Sequence, residues 1–388
     1  MANQRTIQEI NEKIKKGVAV VMTAEEVIDL VDDQGMEDAF SQVDVVTTAT
    51  FGPMCSSGAF LNFGHADPPI RLENITLNGV IASGGLAAVD TFVGAADEDP
   101  NSRGEYGGAH VICDLIKGNS IKLKSTAKGT DCYPRTSVER EVKLEDLNEA
   151  FLFNARNSYQ NYSGAINLSN EPIFTYMGTL LPDGQNVTYS TTGQLSPLLN
   201  DPYLKTIGIG TRIFLAGAQG YIAWNGTQFN TSVDRYDNGI PKSPGATLSV
   251  IGNLRNMNPE YITPVVFKNY GVSLNVGIGI PIPIIDHEIL KQCAISDDQI
   301  QTDIIDYSVK KRSKPTVKTA TYKELRSGEI DIDGKIIQTA PLSSLRKARE
   351  IANELKTQIE TGEFLLSEPV EYFKLDSRVK PLKEEDDK

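Results

Sequence analysis

Apolar residues fall at Ile7, Ile10 and Ile14 among polar ones, a spacing that predicts a helix over residues 7–16. An apolar run at 18–22 predicts a strand, and Thr23-Ala-Glu-Glu26 carries a capping-box pattern that predicts the start of a helix. A second apolar run predicts a buried strand over 43–50, ending in the tight turn Gly52-Pro-Met-Cys-Ser-Ser-Gly58. Strand, helix and strand in that order predict a parallel pair inside an α/β (mixed α+β) core, with the loops at the strand ends free for chemistry.

Further on the periods shorten. Residues 109–114 and 120–124 predict strands, the latter by strict alternation, and residues 144–157 predict a helix. The span 160–285 is rich in Gly, Asn, Thr and Tyr between short apolar runs and predicts a loop-rich, largely β region. Lys, Ser, Pro and Thr at 310–320 mark an expected linker. After it come a short helix at 322–328, a hairpin at 331–337 and a strong helix over 343–361. That last helix places Leu345, Ala348, Ala352, Leu355 and Ile359 on one stripe, with Pro341 before it and Gly362 after. The expected organisation is a core over 1–310, a small helical and hairpin subdomain over 321–375, and a charged, disordered tail over 376–388.

With 388 residues the chain can bury a large core. Its 38 basic and 51 acidic residues leave a net charge of −13, which disfavours phosphate backbones and anionic lipid surfaces, so neither nucleic acid nor membrane is an expected partner. The basic run Lys310-Lys-Arg-Ser-Lys314 is short, lacks interleaved aromatics and reads as solvated linker. A polar start without an apolar core predicts no signal peptide, and four cysteines in such a chain predict reduced thiols in the cytoplasm.

Two of those cysteines sit in polar, glycine-flanked segments. Cys55 lies in the turn after the 43–50 strand, and Cys132 lies in Gly129-Thr-Asp-Cys-Tyr-Pro-Arg135, between an acid and an arginine. Thiols so placed suit sulfur chemistry, whereas Cys113 and Cys293 sit in apolar runs and read as packing residues. Among the histidines, His65 lies in a polar loop ten residues after Cys55 and is the candidate acid or base; His110 and His287 read as structural. Arg135 and Arg212 are candidates to pair with a substrate carboxylate, Arg212 from the glycine-rich turn Ile207-Gly-Ile-Gly-Thr-Arg-Ile213. That turn lacks the full dinucleotide fingerprint. No Cys-x-x-Cys pair occurs, so metal-site spacing is absent, although three cysteines gathered by folding remain a way to hold an iron–sulfur cluster.

The segments Gly52-Pro-Met-Cys-Ser-Ser-Gly-Ala-Phe60, Ile81-Ala-Ser-Gly-Gly-Leu86 and Gly129-Thr-Asp-Cys-Tyr-Pro-Arg135 resemble the homocysteine-biosynthesis family, the L-aspartate semialdehyde sulfurtransferases of methanogens and some anaerobic bacteria. The resemblance extends over roughly residues 3–373. It implies a persulfide on Cys132, assistance from Cys55, and sulfur transfer to the aldehyde of L-aspartate 4-semialdehyde in homocysteine and methionine biosynthesis. It also implies sulfide or a sulfane-sulfur donor, no tightly bound cofactor, and electrons from a separate small ferredoxin-like iron–sulfur protein. Many relatives continue into nucleotide-sensing repeats or a ferredoxin module, and neither is expected here. Two other readings stay open: a cluster enzyme binding sulfide directly through its cysteines, and a persulfide carrier without turnover of its own.

Overall fold

Thr23 starts a helix where the sequence places its cap, and Thr6 caps the first helix in the same way. The Thr6 hydroxyl accepts from the Glu9 amide and begins helix Ile7–Lys15, and Thr23 does the same with Glu26 for helix Ala24–Gln34. The computed structural model describes residues 5–85 and 87–382. Leu86, which closes one of the three motifs, and residues 383–388 of the expected tail lie outside the described residues.

Strand Val21–Thr23 pairs in parallel with strand Val45–Pro53, as the strand–helix–strand order predicts. Val45–Pro53 is buried on both faces over nearly its whole length, so its sequence reads as a continuous apolar and threonine run. It pairs antiparallel with the long strand Gly271–Pro283, and helix Leu345–Glu360 packs across both.

From that pair a 14-stranded sheet extends through Arg212–Leu215, Ala218–Asn225, Leu248–Asn253, Glu149–Asn157, Ser57–Asn62 and Asp90–Gly94 to Ile121–Thr126 and Ser137–Val142. A second sheet of six strands runs Thr316–Thr321, Gln301–Asp306, Gly164–Ile166, Asn186–Tyr189, Lys335–Pro341 and Glu329–Ile332. The chain is thus a mixed α and β protein whose middle region is built of strands joined by long loops. Among the described residues no helix is long and apolar enough to cross a membrane.

Several local expectations are corrected. Residues 109–114 belong to helix Gly108–Ile116, not to a strand. That helix is buried on nearly every side, so its apolar run lacks the polar face that would reveal the helical period. Gly108 makes it fit, because a Cβ there would lie 1.8 Å from the Gly94 carbonyl oxygen. Residues 144–157 form a single 3₁₀ turn, Leu144–Asp146, and then the central strand Glu149–Asn157. Ala150, Leu152 and Asn154 point into the core from one face of that strand, a period of two that an apolar-rich segment obscures.

The region after 310 also differs in kind. Thr316–Thr321, inside the expected linker, pairs with Gln301–Asp306. Residues 321–375 do not stand apart, since Lys335–Pro341 pairs in parallel with Asn186–Tyr189 and helix Leu345–Glu360 buries Ile351, Leu355 and Ile359 in the main core. Within the expected tail, the Ser377 amide donates to Thr231 Oγ1 and its carbonyl accepts from the Ser232 amide.

Candidate active site

Cys55 is presented by a turn that joins two core strands. Val45–Pro53 ends at Met54, whose amide donates to the Leu274 carbonyl, and the Ser57 amide closes the turn onto the Met54 carbonyl at 3.0 Å. Strand Ser57–Asn62 begins there, leaving the Cys55 side chain exposed at the corner. Gly58 is required by packing, because a Cβ would lie 2.2 Å from Cζ of Phe92. The motif's glycine thus clears a ring and does not loosen the turn.

Fully buried Asn154 fixes this turn from the neighbouring strand. Its Nδ2 donates to Ser57 Oγ at 2.7 Å, and its Oδ1 accepts from Ser56 Oγ at 3.0 Å and from the Arg156 amide at 2.8 Å. One side-chain amide therefore orients both the cysteine turn and the start of the segment that carries Arg156.

Cys55 lines a cavity of about 340 Å³ between the two sheets. Its walls include Thr50 and Ser273 from the large sheet, Ser190 and Leu342 just beyond two strands of the second, and the aromatic side chains Tyr159, Tyr162, Tyr176 and Tyr270. Among the described residues that line it, Arg156 carries the one fixed charge, and no Asp, Glu, Lys or His faces it. Arg156 Nε donates to Thr227 Oγ1 at 2.9 Å and Nη1 to Tyr159 Oη at 3.1 Å, which leaves Nη2 without a protein acceptor among the described residues. Burial raises the Tyr159 phenol above its ordinary value, the Arg156 hydrogen bond opposes the rise, and the nearby Cys55 charge adds to it. Tyr270 is raised in the same sense, by burial first and then by Cys55. The Tyr162 hydroxyl donates to Tyr176 at 2.9 Å, and the Tyr176 hydroxyl lies 3.1 Å from that of Tyr307.

The other sequence candidates lie elsewhere. Cys132 is exposed in the hairpin between Ile121–Thr126 and Ser137–Val142. That hairpin folds against residues 65–69: the His65 and Tyr133 rings stack with centroids 6.2 Å apart, and Arg135 donates to the Pro69 and Asp67 carbonyls. His65 follows the far end of Ser57–Asn62, the strand whose near end follows Cys55. Five residue steps at about 3.3 Å put those strand ends roughly 17 Å apart, so His65, Arg135 and Cys132 form one group and Cys55 stands alone at the cavity. Arg212 is in neither place; its Nη1 donates to the Leu365 carbonyl and its amide to Ser367 Oγ, fastening the segment after the last helix.

Cys113 and Cys293 are buried, with Sγ atoms 3.7 Å from the Ile262 carbonyl and 3.6 Å from the Asn200 carbonyl. Burial pushes the Cys113 thiol up to about 12 and holds Cys293 well above the ordinary thiol range. Among the described residues no three His, Cys, Asp or Glu side chains are grouped to hold a metal ion.

Sequence reasoning missed Arg156, Tyr159 and Asn154. Their signal is the polar run Asn154-Ala-Arg-Asn-Ser-Tyr159, which ends an apolar strand and continues past it, the usual place for site residues.

The comparisons agree with the motifs. A homocysteine biosynthesis enzyme (sulfur-incorporation) profile matches residues 19–366. The L-aspartate semialdehyde sulfurtransferase of Methanosarcina acetivorans is 48% identical over 98% of this chain and 74% of its own length. The L-aspartate semialdehyde sulfurtransferase of Methanocaldococcus jannaschii is 50% identical over 95% of this chain and 73% of its own length. An uncharacterized protein of Methanothermobacter thermautotrophicus is 28% identical over 84% of this chain and 73% of its own length. No solved structure matches. On this evidence the chain is an enzyme of the homocysteine biosynthesis, sulfur-incorporation family.

Proposed function

We propose that this enzyme adds sulfur to the aldehyde carbon of L-aspartate 4-semialdehyde and so forms L-homocysteine. The observation that carries the reading is one small cavity holding both an exposed thiol, Cys55, and a single guanidinium, Arg156, with free N–H groups for a carboxylate. The names of the two relatives nearly half identical to it supply the substrate.

The electron count sets what else is needed. An aldehyde, hydrogen sulfide, two electrons and two protons give a thiol and water. If the sulfur arrives as sulfane sulfur, a further two electrons and two protons are required. Cys132 takes the persulfide role: its thiolate attacks a sulfane donor, the donor's bond to that sulfur breaks, and the terminal sulfur stays on Cys132. Its exposed hairpin supports uptake from a donor in solution. Two electrons and a proton from the external supply then cleave the S–S bond, restoring the Cys132 thiolate and releasing hydrosulfide, which diffuses to the cavity and adds to the aldehyde. Electrons come from an external carrier, for which a small iron–sulfur protein with a basic rim suits a chain of net charge −13.

The test is anaerobic turnover with aspartate semialdehyde, sulfide or a persulfide donor, and a low-potential reductant, read by mass spectrometry of homocysteine. Absence of homocysteine from the folded protein under all donor conditions sinks the proposal.

A further inference from the structure

We infer that Tyr159 donates the proton that the aldehyde oxygen takes up when sulfur adds to the carbonyl carbon, an inference that rests on the sulfur-transfer reading above. Addition to a carbonyl places negative charge on oxygen, and a positioned acid lowers that barrier. The cavity offers few acids. No His, Asp, Glu or Lys lines it, His65 sits beyond the other end of strand Ser57–Asn62, serine and threonine hydroxyls are much weaker acids than a phenol, and the Cys55 thiol has no cation hydrogen-bonded to it among the described residues to hold the charge left behind.

Among the phenols, geometry selects one. Tyr162, Tyr176 and Tyr307 have their hydroxyls tied to one another. Tyr270 is near Cys55 but has no cation hydrogen-bonded to it among the described residues. Tyr159 Oη accepts from Arg156 Nη1 and donates to no protein group among the described residues, so its proton is free to point into the cavity. The same guanidinium stabilises the phenolate left behind and keeps N–H groups for the substrate carboxylate. Burial, which raises Tyr159, keeps it protonated at neutral pH before the step.

The step balances without redox change. A lone pair of the sulfur anion forms the S–C bond, the C=O π pair moves to oxygen, and oxygen takes the Tyr159 proton. The product is a neutral hemithioacetal-type adduct, and the anionic charge has moved from sulfur to a phenolate beside Arg156. The phenolate regains its proton from water at the open mouth.

The experiment compares wild type, Tyr159→Phe, and protein with 3,5-difluorotyrosine at position 159 in the anaerobic homocysteine assay, alongside mass spectrometry of sulfur loaded on cysteine. Tyr159→Phe should lose about 10²–10³-fold in kcat with KM for the aldehyde within a few-fold, while sulfur loading is unchanged. The fluorinated phenol is more acidic, so the alkaline limb of the kcat profile should move to lower pH; it also keeps the test open if the Phe variant does not fold. Wild-type kcat in a folded Tyr159→Phe variant, or an unmoved alkaline limb with difluorotyrosine, overturns the inference. Lack of homocysteine from wild type instead removes the functional reading itself.

Discussion

Asn154 donates a 2.7 Å hydrogen bond to Ser57 Oγ from the strand next door, and in doing so sets the turn on which Cys55 stands. Asn154 is fully buried, so its loss strands Ser57 Oγ and the Arg156 amide and leaves Ser56 with the Arg156 carbonyl alone. Asn154→Ala should destabilise the fold by about 2–4 kcal/mol and depress turnover beyond any loss of folded protein. Denaturant titration with activity normalised to folded fraction measures both; a near-neutral variant contradicts the account of the turn.

Arg156→Ala should raise KM for the aldehyde roughly 10–100-fold, the cost of one charge-assisted carboxylate contact, with Arg156→Lys recovering part of it. Arg212→Ala should behave differently, because its guanidinium holds the Leu365 carbonyl. The expectation is lower thermal stability with KM unchanged. Steady-state kinetics on the three variants decides which arginine meets substrate.

Exposed Cys55 and Cys132 should react with iodoacetamide in the native protein, while Cys113 and Cys293 should react only after unfolding. Cys113 also predicts an alkaline effect. Its folded value of about 12 lies above the ordinary 9.0, so its contribution is complete below pH 9 and falls as pH rises from 9 towards 12. At about pH 10.5 the unfolded thiolate should have removed about 2 kcal/mol of that stability, a loss that Cys113→Ala abolishes. Urea melts at pH 8 and near 10.5 provide the comparison.

Mild oxidation should not form a Cys55–Cys132 disulfide within one chain. The two are separated by the length of strand Ser57–Asn62, and a disulfide needs Cα atoms within about 7 Å. Peptide mapping of oxidised monomer checks this. An intrachain bridge in good yield would show that the hairpin carrying Cys132 travels to the cavity.

Much of the fold was legible where local chemistry decides it. Thr23 and the isoleucines at 7, 10 and 14 announce their helices, and the parallel pairing follows from the strand–helix–strand order. Where apolar residues fill both faces the signal fails: Gly108–Ile116 is buried on nearly every side, and in Glu149–Asn157 the outer-face Phe151 and Phe153 mask the alternation that buries Ala150, Leu152 and Asn154. For the site, the motif around Cys55 was readable as sequence, but the cavity was not. Arg156 reaches it only because Leu248–Asn253 and Ser57–Asn62 flank its strand on both sides. Residues from 50 to 343 meet there, a convergence that no local pattern encodes.

Because Leu342 and Ser343 complete the cavity wall, and strand Lys335–Pro341 supplies a place in the second sheet just before them, the candidate chamber closes only once residue 343 has been translated, 288 residues after Cys55. A nascent chain that has already exposed Cys55 has no closed chamber around it until those 288 residues have followed. Cys55 stays exposed after folding as well, so what late closure withholds from it is not shelter but the opposing wall at Leu342 and Ser343 that a bound substrate would press against.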